Sequence, residues 1–544
     1  MEKIKPLHIL LLAFMALAMM WPGQTNLPPL DRDEARFTQA SKQMMESGDY
    51  IDIRYQDVAR HKKPAGIYWL QVLSAKAHGG PDEAPINAYR LPSLVAAVAA
   101  VLLTAVIGAH LFGAMVGVGA GVVMSALFGL GLEAHIAKTD AALLFTVLLT
   151  QWGIARLYIN PSENDRLSAY LFWGGLGLGV LIKGPITPMV AGLTLVGILI
   201  WERRLALIDP LFKLAPILLF LLIALPWYIA ITIVSGGSFF AEAVGQDMLG
   251  KVASGQESHG APPGYYAGIF ALAFFPFAGL ALSALPAAAK ARATPAIRFL
   301  IVWALPGWLL FELMPTKLPH YVLPFFPALA IATSWLVMEV GIKRNWFTRA
   351  AVAFTGFIGG VLAIGLIGAP IYAMQLPGGD MVDYPWIGGL LILSGLGLFL
   401  HTNWHLFALP PLQLIARLWA ASLLILGAGF GLMAPAMSPL WIAPRLADAA
   451  ALHAPCPTYQ IAVAGFHEPS FVFLTDTQTL LTGPANVATI LADNECAIAI
   501  VDASERAAFE DALTVPAKEV ATVHGLNYSR GDERSLSLFV RAGE

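Results

Sequence analysis

The sequence predicts a polytopic α-helical membrane protein that ends in a small soluble α/β domain. Three observations carry that class. Of 544 residues, 57% are hydrophobic and only 13% charged, about half the charged share of a soluble domain, and the mean hydropathy is +0.67. Apolar runs near the roughly 20 residues needed to cross a bilayer core recur up to about residue 435. From about residue 445 the texture shifts to short apolar runs between polar segments. An ordinary cytosolic enzyme is thereby excluded. A net charge of -3, from 33 Lys+Arg against 36 Asp+Glu, provides no basic field for a polyanion, so no nucleic-acid partner is expected.

In order, the apolar stretches fall near 7–22, 91–112, 114–132, 141–158, 168–183, 187–201, 213–234, 264–286, 298–314, 319–340, 350–374, 385–401 and 414–434, which gives about thirteen spans. Lys and Arg gather on the cytoplasmic side of short loops. Starting Met-Glu-Lys-Ile-Lys inside, alternation puts Arg203/Arg204, Lys290/Arg292/Arg298 and Lys343/Arg344/Arg349 inside and the C-terminus outside. The long outer segment 23–90 is also basic, but long loops escape the charge rule. The first stretch reads as a retained helix and not a cleaved signal peptide, because Trp21-Pro22-Gly23 is a poor small-residue cleavage site.

The expected domains are a membrane domain, 1–440, containing the outer loop 23–90, and a C-terminal α/β domain, 445–544. In the latter, Tyr459-Gln-Ile-Ala-Val-Ala-Gly, Ser470-Phe-Val-Phe-Leu, Thr479-Leu-Leu, Cys496-Ala-Ile-Ala-Ile-Val and Leu536-Ser-Leu-Phe-Val alternate with helical stretches at 485–492 and 504–513. It is too polar to span lipid. Cys456 and Cys496 are too few for a disulfide framework or thiolate cluster, and either pair in an oxidising compartment or stay free.

Segment 31–71, DRDEARFTQASKQMMESGDYIDIRYQDVARHKKPAGIYWLQ, concentrates charge beside a span. Ala35, Phe37, Ala40, Met44 and Met45 recur at helical spacing, the pattern of an interfacial helix, with Asp33 and Glu34 in a first turn that favours their ionised form. A lone acidic pair there would be a simple cap. Lys62 and Lys63 then precede Pro64 and an aromatic belt, Ile67-Tyr68-Trp69-Leu70, which suits a lipid-linked phosphate whose tail stays in the bilayer. Asp140, in His135-Ile-Ala-Lys-Thr-Asp, sits at the edge of the apolar core, where an ionisable group is a functional candidate, and it also suits a helix cap. Lys183, before Gly184-Pro185, ends a span and equally suits snorkelling.

Pro315-Thr-Lys-Leu-Pro-His-Tyr-Val-Leu-Pro324 is held out of regular helix by its prolines, so it should line protein or a cavity. Lys317, His320 and Tyr321 become candidates. No metal is expected at His320, since no carboxylate or second histidine stands at ligand spacing. Loop 235–263 adds Gln246, Asp247, Lys251 and His259, suited to a mobile loop over a site or to an ordinary connection.

Taken in order, Asp33-Glu34-x-Arg36, Lys63-Pro64 with its aromatic pair, Thr139-Asp140, Lys183-Gly184-Pro185 and Lys317-Leu318-Pro319-x-Tyr321 resemble the membrane glycosyltransferases of the GT-C type that use polyprenyl-phosphate sugars. The nearest likeness is to the lipid A aminoarabinose transferase group, related to the protein O-mannosyltransferases, over Asp33 to Pro324. The resemblance implies Asp33 as catalytic acid with Glu34 and Arg36 beside it, Asp140 as second essential acid, Lys63 on the donor phosphate, and Lys183 and Tyr321 in the same cavity. Lys62 stands where relatives often have Glu, which removes a metal ligand, so no cofactor is called for and a divalent cation lacks support.

The residues support compatible chemistry on their own. Transfer releases a phosphate whose charge Lys63, Arg36, Lys183 or Lys317 would stabilise in a partly dry cavity. Asp33 would orient or deprotonate the acceptor, and Asp140 would position the sugar or its developing cation. The expected partners are a polyprenyl-phosphate sugar, an acceptor such as lipid A, another glycan or a protein, and the bilayer. The expected setting is a monomer in a bacterial inner membrane with a periplasmic site. A transporter or flippase for a lipid-linked sugar is the rival reading, although no two matching halves with broken helices stand out. A non-enzymatic assembly protein leaves the first-loop acids unexplained.

Overall fold

The computed structural model describes residues 4–161, 165–243, 245, 250 and 260–542. Each of the thirteen apolar stretches is helical. Eight described helices are by themselves long and apolar enough to cross a membrane, and the bent pair Ala114–Ser125 and Phe128–Ala134 makes a ninth. The rest are shorter, broken or charged at their ends. Pro6–Met20 and Ile186–Glu202 fall below span length. Arg166–Lys183 is framed by its two charges, and the 264–286 stretch divides into Tyr265–Ala273 and Ala278–Lys290. Hydropathy locates such segments well, yet a packed bundle lets a helix break wherever protein replaces lipid around the freed backbone.

The outer segment forms the helix Asp33–Ser47, a two-residue hairpin of β1 (Arg54–Tyr55) on β2 (Val58–Ala59), and the helix Gly66–Lys76. The first of these helices buries Ala35, Phe37, Ala40 and Met44, as its spacing predicts, but Thr38, Gln39, Ser41 and Lys42 are buried too. The reason is that its polar face carries the C-terminal domain. Gln39 donates to Thr477 Oγ1 at 2.6 Å, Thr477 donates to Glu46 at 2.6 Å, and Lys42 reaches the carbonyls of Phe473 and Thr475.

The C-terminal domain is a five-stranded sheet of β3 (Gln460–Ala464), β4 (Leu480–Leu481), β5 (Ala497–Asp502), β6 (Ala517–Asn527) and β7 (Asp532–Arg541), in the order β4-β3-β5-β7-β6. β3 runs parallel to β4 and β5, while β7 is antiparallel to β5 and β6. Alternation sorts its two faces. Ile461, Val463, Ile498 and Ile500 pack under the helix Ile442–Leu452, whereas Ala462, Ala464, Ala497 and Ala499 accept Val487, Leu491 and Phe509 from the opposite side. Small residues on the second face let its helices approach closely. Cys456 and Cys496 are disulfide-bonded.

Candidate active site

Helix ends from four parts of the chain converge on one cleft of about 1230 Å³, measured out to its open mouth. Asp33, Lys62, Lys63, Lys138, Asp140, Lys183, His320 and Tyr321 line it, with Phe37, Leu143, Tyr228, Phe239, Phe240 and Phe311 forming an apolar and aromatic wall. Among the described lining residues four lysines stand against two aspartates, and the apolar side suits a hydrocarbon chain.

The tight turn between Ala134 and Asp140 places three charges within a few residues. Asp140 accepts from Lys183 at 2.6 Å and lies 3.7 Å from the Lys138 ammonium. Lys138 also pairs with Glu133 at 3.1 Å. His320 brings Nε2 to 3.6 Å from Asp140 and Nδ1 to 3.7 Å from Glu133, and Lys183 stands over the Tyr321 ring at 5.8 Å. Burial works against the Lys138 charge, but Glu133 and Asp140 outweigh it and raise its pKa, so the ammonium is fixed as a cation. Glu133, Asp140 and His320 offer donor atoms within 4.8 Å of one another. Lys138 and Lys183 already neutralise both carboxylates, and a dication would have to displace ammonium groups held at 2.6 and 3.1 Å. The donor set therefore fits an ion-pair network better than a metal.

Glu34, which the sequence suggested as catalytic, does not line the cleft. It is 1% exposed and accepts four hydrogen bonds, each of 2.8 Å, from Leu30 N, Ala137 N, Arg90 Nε and Arg90 Nη2. Arg90, fully buried, also donates to the carbonyls of Gln24, Leu27 and Pro28. Buried charges persist when paired and fully hydrogen-bonded, and here one pair ties the strand entering Asp33 to the turn entering Asp140. Gln71 and Ser93 complete that turn by donating to Ala137 O and Lys138 O.

Arg36 and Lys317 also lie off the cleft. Arg36 is half-buried and acts on the Tyr55 phenol. Lys317 is 3% exposed and donates to Met314 O, since a buried ammonium in a proline-bounded turn takes the nearest freed carbonyl. Gln246, Asp247, Lys251 and His259 lie outside the described residues. Glu133, Lys138 and Arg90 escaped selection as site residues. Their signal was faint: an acid and a lysine in an apolar stretch, and an arginine at a span entrance.

Two close approaches hold the lysines together. A Cβ on Gly66 would lie 2.6 Å from Leu181 O, so only glycine lets the Lys63-Pro64 turn pack on the helix that ends in Lys183. Gly184 takes φ +65 to close that helix, a conformation open to glycine.

Asp31, two residues before Asp33, docks the C-terminal domain. It accepts from Ser470 N at 2.9 Å and Ser470 Oγ at 2.8 Å, while its own N–H donates to Tyr528 at 2.6 Å. Burial pushes its carboxyl up to about 6, against the two Ser470 bonds.

This arrangement, a helical bundle with its charged cleft at one membrane boundary and a sheet domain seated on the first loop, is the GT-C type fold. The structure resembles the crystal structure of ArnT from Cupriavidus metallidurans bound to undecaprenyl phosphate, with a TM-score of 0.74 at 17% identity over 98% of this chain and 97% of that one. The dolichyl-phosphate-mannose-protein mannosyltransferase family matches residues 62–229. Among curated relatives, the undecaprenyl phosphate-alpha-4-amino-4-deoxy-L-arabinose arabinosyl transferase of Pseudomonas paraeruginosa is 28% identical over 304 residues, 55% of this chain and 54% of that protein. The protein of the same name from Erwinia tasmaniensis is 26% identical over 406 residues, 70% of each. In the first of these matches the chain spans little more than half of the relative.

Proposed function

We propose that this chain is an integral membrane glycosyltransferase that moves a sugar from a polyprenyl-phosphate carrier, undecaprenyl phosphate or a close analogue, to lipid A or another envelope acceptor. One observation carries the reading. The cleft sets Asp33 and Asp140 among four lysines against an aromatic wall at a membrane boundary, as a charged sugar-phosphate on a lipid tail requires. The relatives named above, whose names describe arabinosyl transfer from that carrier, support it.

In the mechanism, Lys63, assisted by Lys62, neutralises the donor phosphate. The bond from the anomeric carbon to the phosphate oxygen breaks, both electrons leave with the polyprenyl phosphate, and the lysine charges stabilise it. Asp33 takes the acceptor proton as the new bond forms. Asp140, held by Lys183 and Lys138, faces the positive charge that develops on the sugar. Glu34 holds the two acid-bearing segments in register and does not touch substrate. Arg36 and Lys317 have no role on the phosphate.

In this reading residues 1–440 form the membrane part and 445–544 a periplasmic domain. The N-terminus is cytoplasmic, the protein acts as a monomer in a bacterial inner membrane, and no metal takes part. Reconstituted wild type should consume polyprenyl-phosphate sugar, and Asp33→Asn and Lys63→Ala should each lower turnover at least about a hundredfold. Full turnover in both variants would refute the assignment. Carrier crossing the bilayer unhydrolysed, with no glycosylated product, would favour a flippase.

A further inference from the structure

A second cleft of about 940 Å³, measured out to its open mouth, lies at the other end of the bundle. Its lining includes Pro286, Ala287, Lys290, Trp335, Lys343 and Phe347. The span Pro319–Val340 connects the two sites: His320 lines the first cleft and Trp335 the second. Fifteen residues of helix separate them, about 22 Å at 1.5 Å per residue. The second cleft therefore opens at the opposite membrane face.

Its chemistry is two-sided. Segments 283–291 and 335–348 carry Lys290, Lys343 and Arg344 against one acid, Glu339. Lys290 and Lys343 are exposed and form no ion pair among the described residues. Behind them Ala287, Ala291, Trp335 and Met338 pack with Val116 and Ile297 into an apolar wall. Val340 in the lining is 39% exposed, and Leu285 at 49% and Trp346 at 79% exposure stand one residue from lining Pro286 and Phe347, the tryptophan as expected near a headgroup boundary. Basic loops alone would serve to orient the protein. A cleft that sets two exposed ammonium groups over an apolar wall between helix ends has the added features of a lipid site.

We propose that this cleft binds an anionic glycerophospholipid, its phosphate between Lys290 and Lys343 and its acyl chains along the wall of Trp335, Leu336 and Val340. Charge complementarity selects the anionic headgroup, and the apolar lining selects a lipid over a soluble anion. The proposal does not depend on glycosyl transfer at the first cleft.

Native mass spectrometry of the full chain, released from detergent with added phosphatidylglycerol or phosphatidylcholine of identical chains, tests it. Each lysine near an anionic headgroup is worth about fivefold in binding, so wild type should retain phosphatidylglycerol about twenty-five-fold better. Lys290→Gln/Lys343→Gln, with both side chains exposed, should keep its melting temperature and bind the two lipids about equally. Arg203→Gln/Arg204→Gln, in another basic loop, should keep the wild-type preference. Equal retention by wild type, or undiminished preference in the lysine double variant, would overturn the proposal. So would complete displacement of phosphatidylglycerol by millimolar inorganic phosphate, which would assign the lysines to a free anion.

Discussion

Replacing Glu34 by Gln tests whether the buried Glu34–Arg90 pair builds the cleft. The carboxylate accepts four hydrogen bonds, two of them from Arg90. Each of its oxygens takes one bond from the guanidinium and one from a backbone N–H, so either orientation of a glutamine amide turns an NH2 group toward two donors. Two acceptor contacts are lost, one of them from the guanidinium, and Arg90 keeps a charge with no counter-charge among the described residues at 0% exposure. Breaking a buried pair from one side costs about 3–5 kcal/mol. In a chain of this size that corresponds to a fall of about 3–4 °C in apparent melting temperature. Because the lost bonds also fix the turn entering Asp140, turnover should fall at least tenfold at saturating donor. Glu34→Gln/Arg90→Gln removes both charges and should be less destabilised than the two single losses summed, by more than about 1 kcal/mol. The assay is thermal unfolding of the solubilised protein alongside reconstituted turnover. A Glu34→Gln variant with wild-type melting and turnover would refute the reasoning.

Asp140→Asn should reduce turnover at least about a hundredfold with little effect on carrier binding, measured as kcat against KM, because the proposed mechanism sets it against the sugar and not the phosphate. Asp31 ties stability to pH. Its folded pKa of about 6 lies above its ordinary 3.8, so the folded state binds more protons between those values. Stability should therefore fall as pH rises from about 4 to 6 and level off above. Asp31→Asn should flatten that slope in thermal unfolding scans, and an unchanged slope would refute the assignment to Asp31. Cys456→Ser opens a crosslink across 40 residues, which should cost the C-terminal domain about 4 kcal/mol, read as earlier proteolysis within 445–544. Chelator treatment should leave turnover unchanged, since Lys138 and Lys183 occupy the carboxylates a cation would need.

The helices were legible because a bilayer imposes a long, simple pattern: all thirteen apolar stretches fold as helix. Breaks such as the 63° bend between Ala114–Ser125 and Phe128–Ala134 were not, because they depend on which neighbours satisfy the freed backbone. The same division runs through the cleft. Asp33, Lys62, Lys63, Asp140, Lys183, His320 and Tyr321 stood out as charge or proline-bound polarity at the ends of apolar runs, and these line it. Glu34 stood out by the same test but faces Arg90. A helix start turns consecutive residues about 100° apart, and linear order does not say which of Asp33 and Glu34 faces the cavity. The partner that decides it lies 56 residues away.

That geometry gives the two acids different duties. Asp33 is exposed at the cleft while Glu34 is buried one residue on, so a single turn of helix presents one carboxylate to the cleft and uses the next to fix where the first one stands. Asp31, just before them, fastens the same turn to Ser470 and Tyr528. Membrane bundle, first loop and C-terminal domain thus meet within four residues. Loosening any of the three attachments should act on the proposed chemistry through the position of Asp33 and leave Lys62 and Lys63 in place.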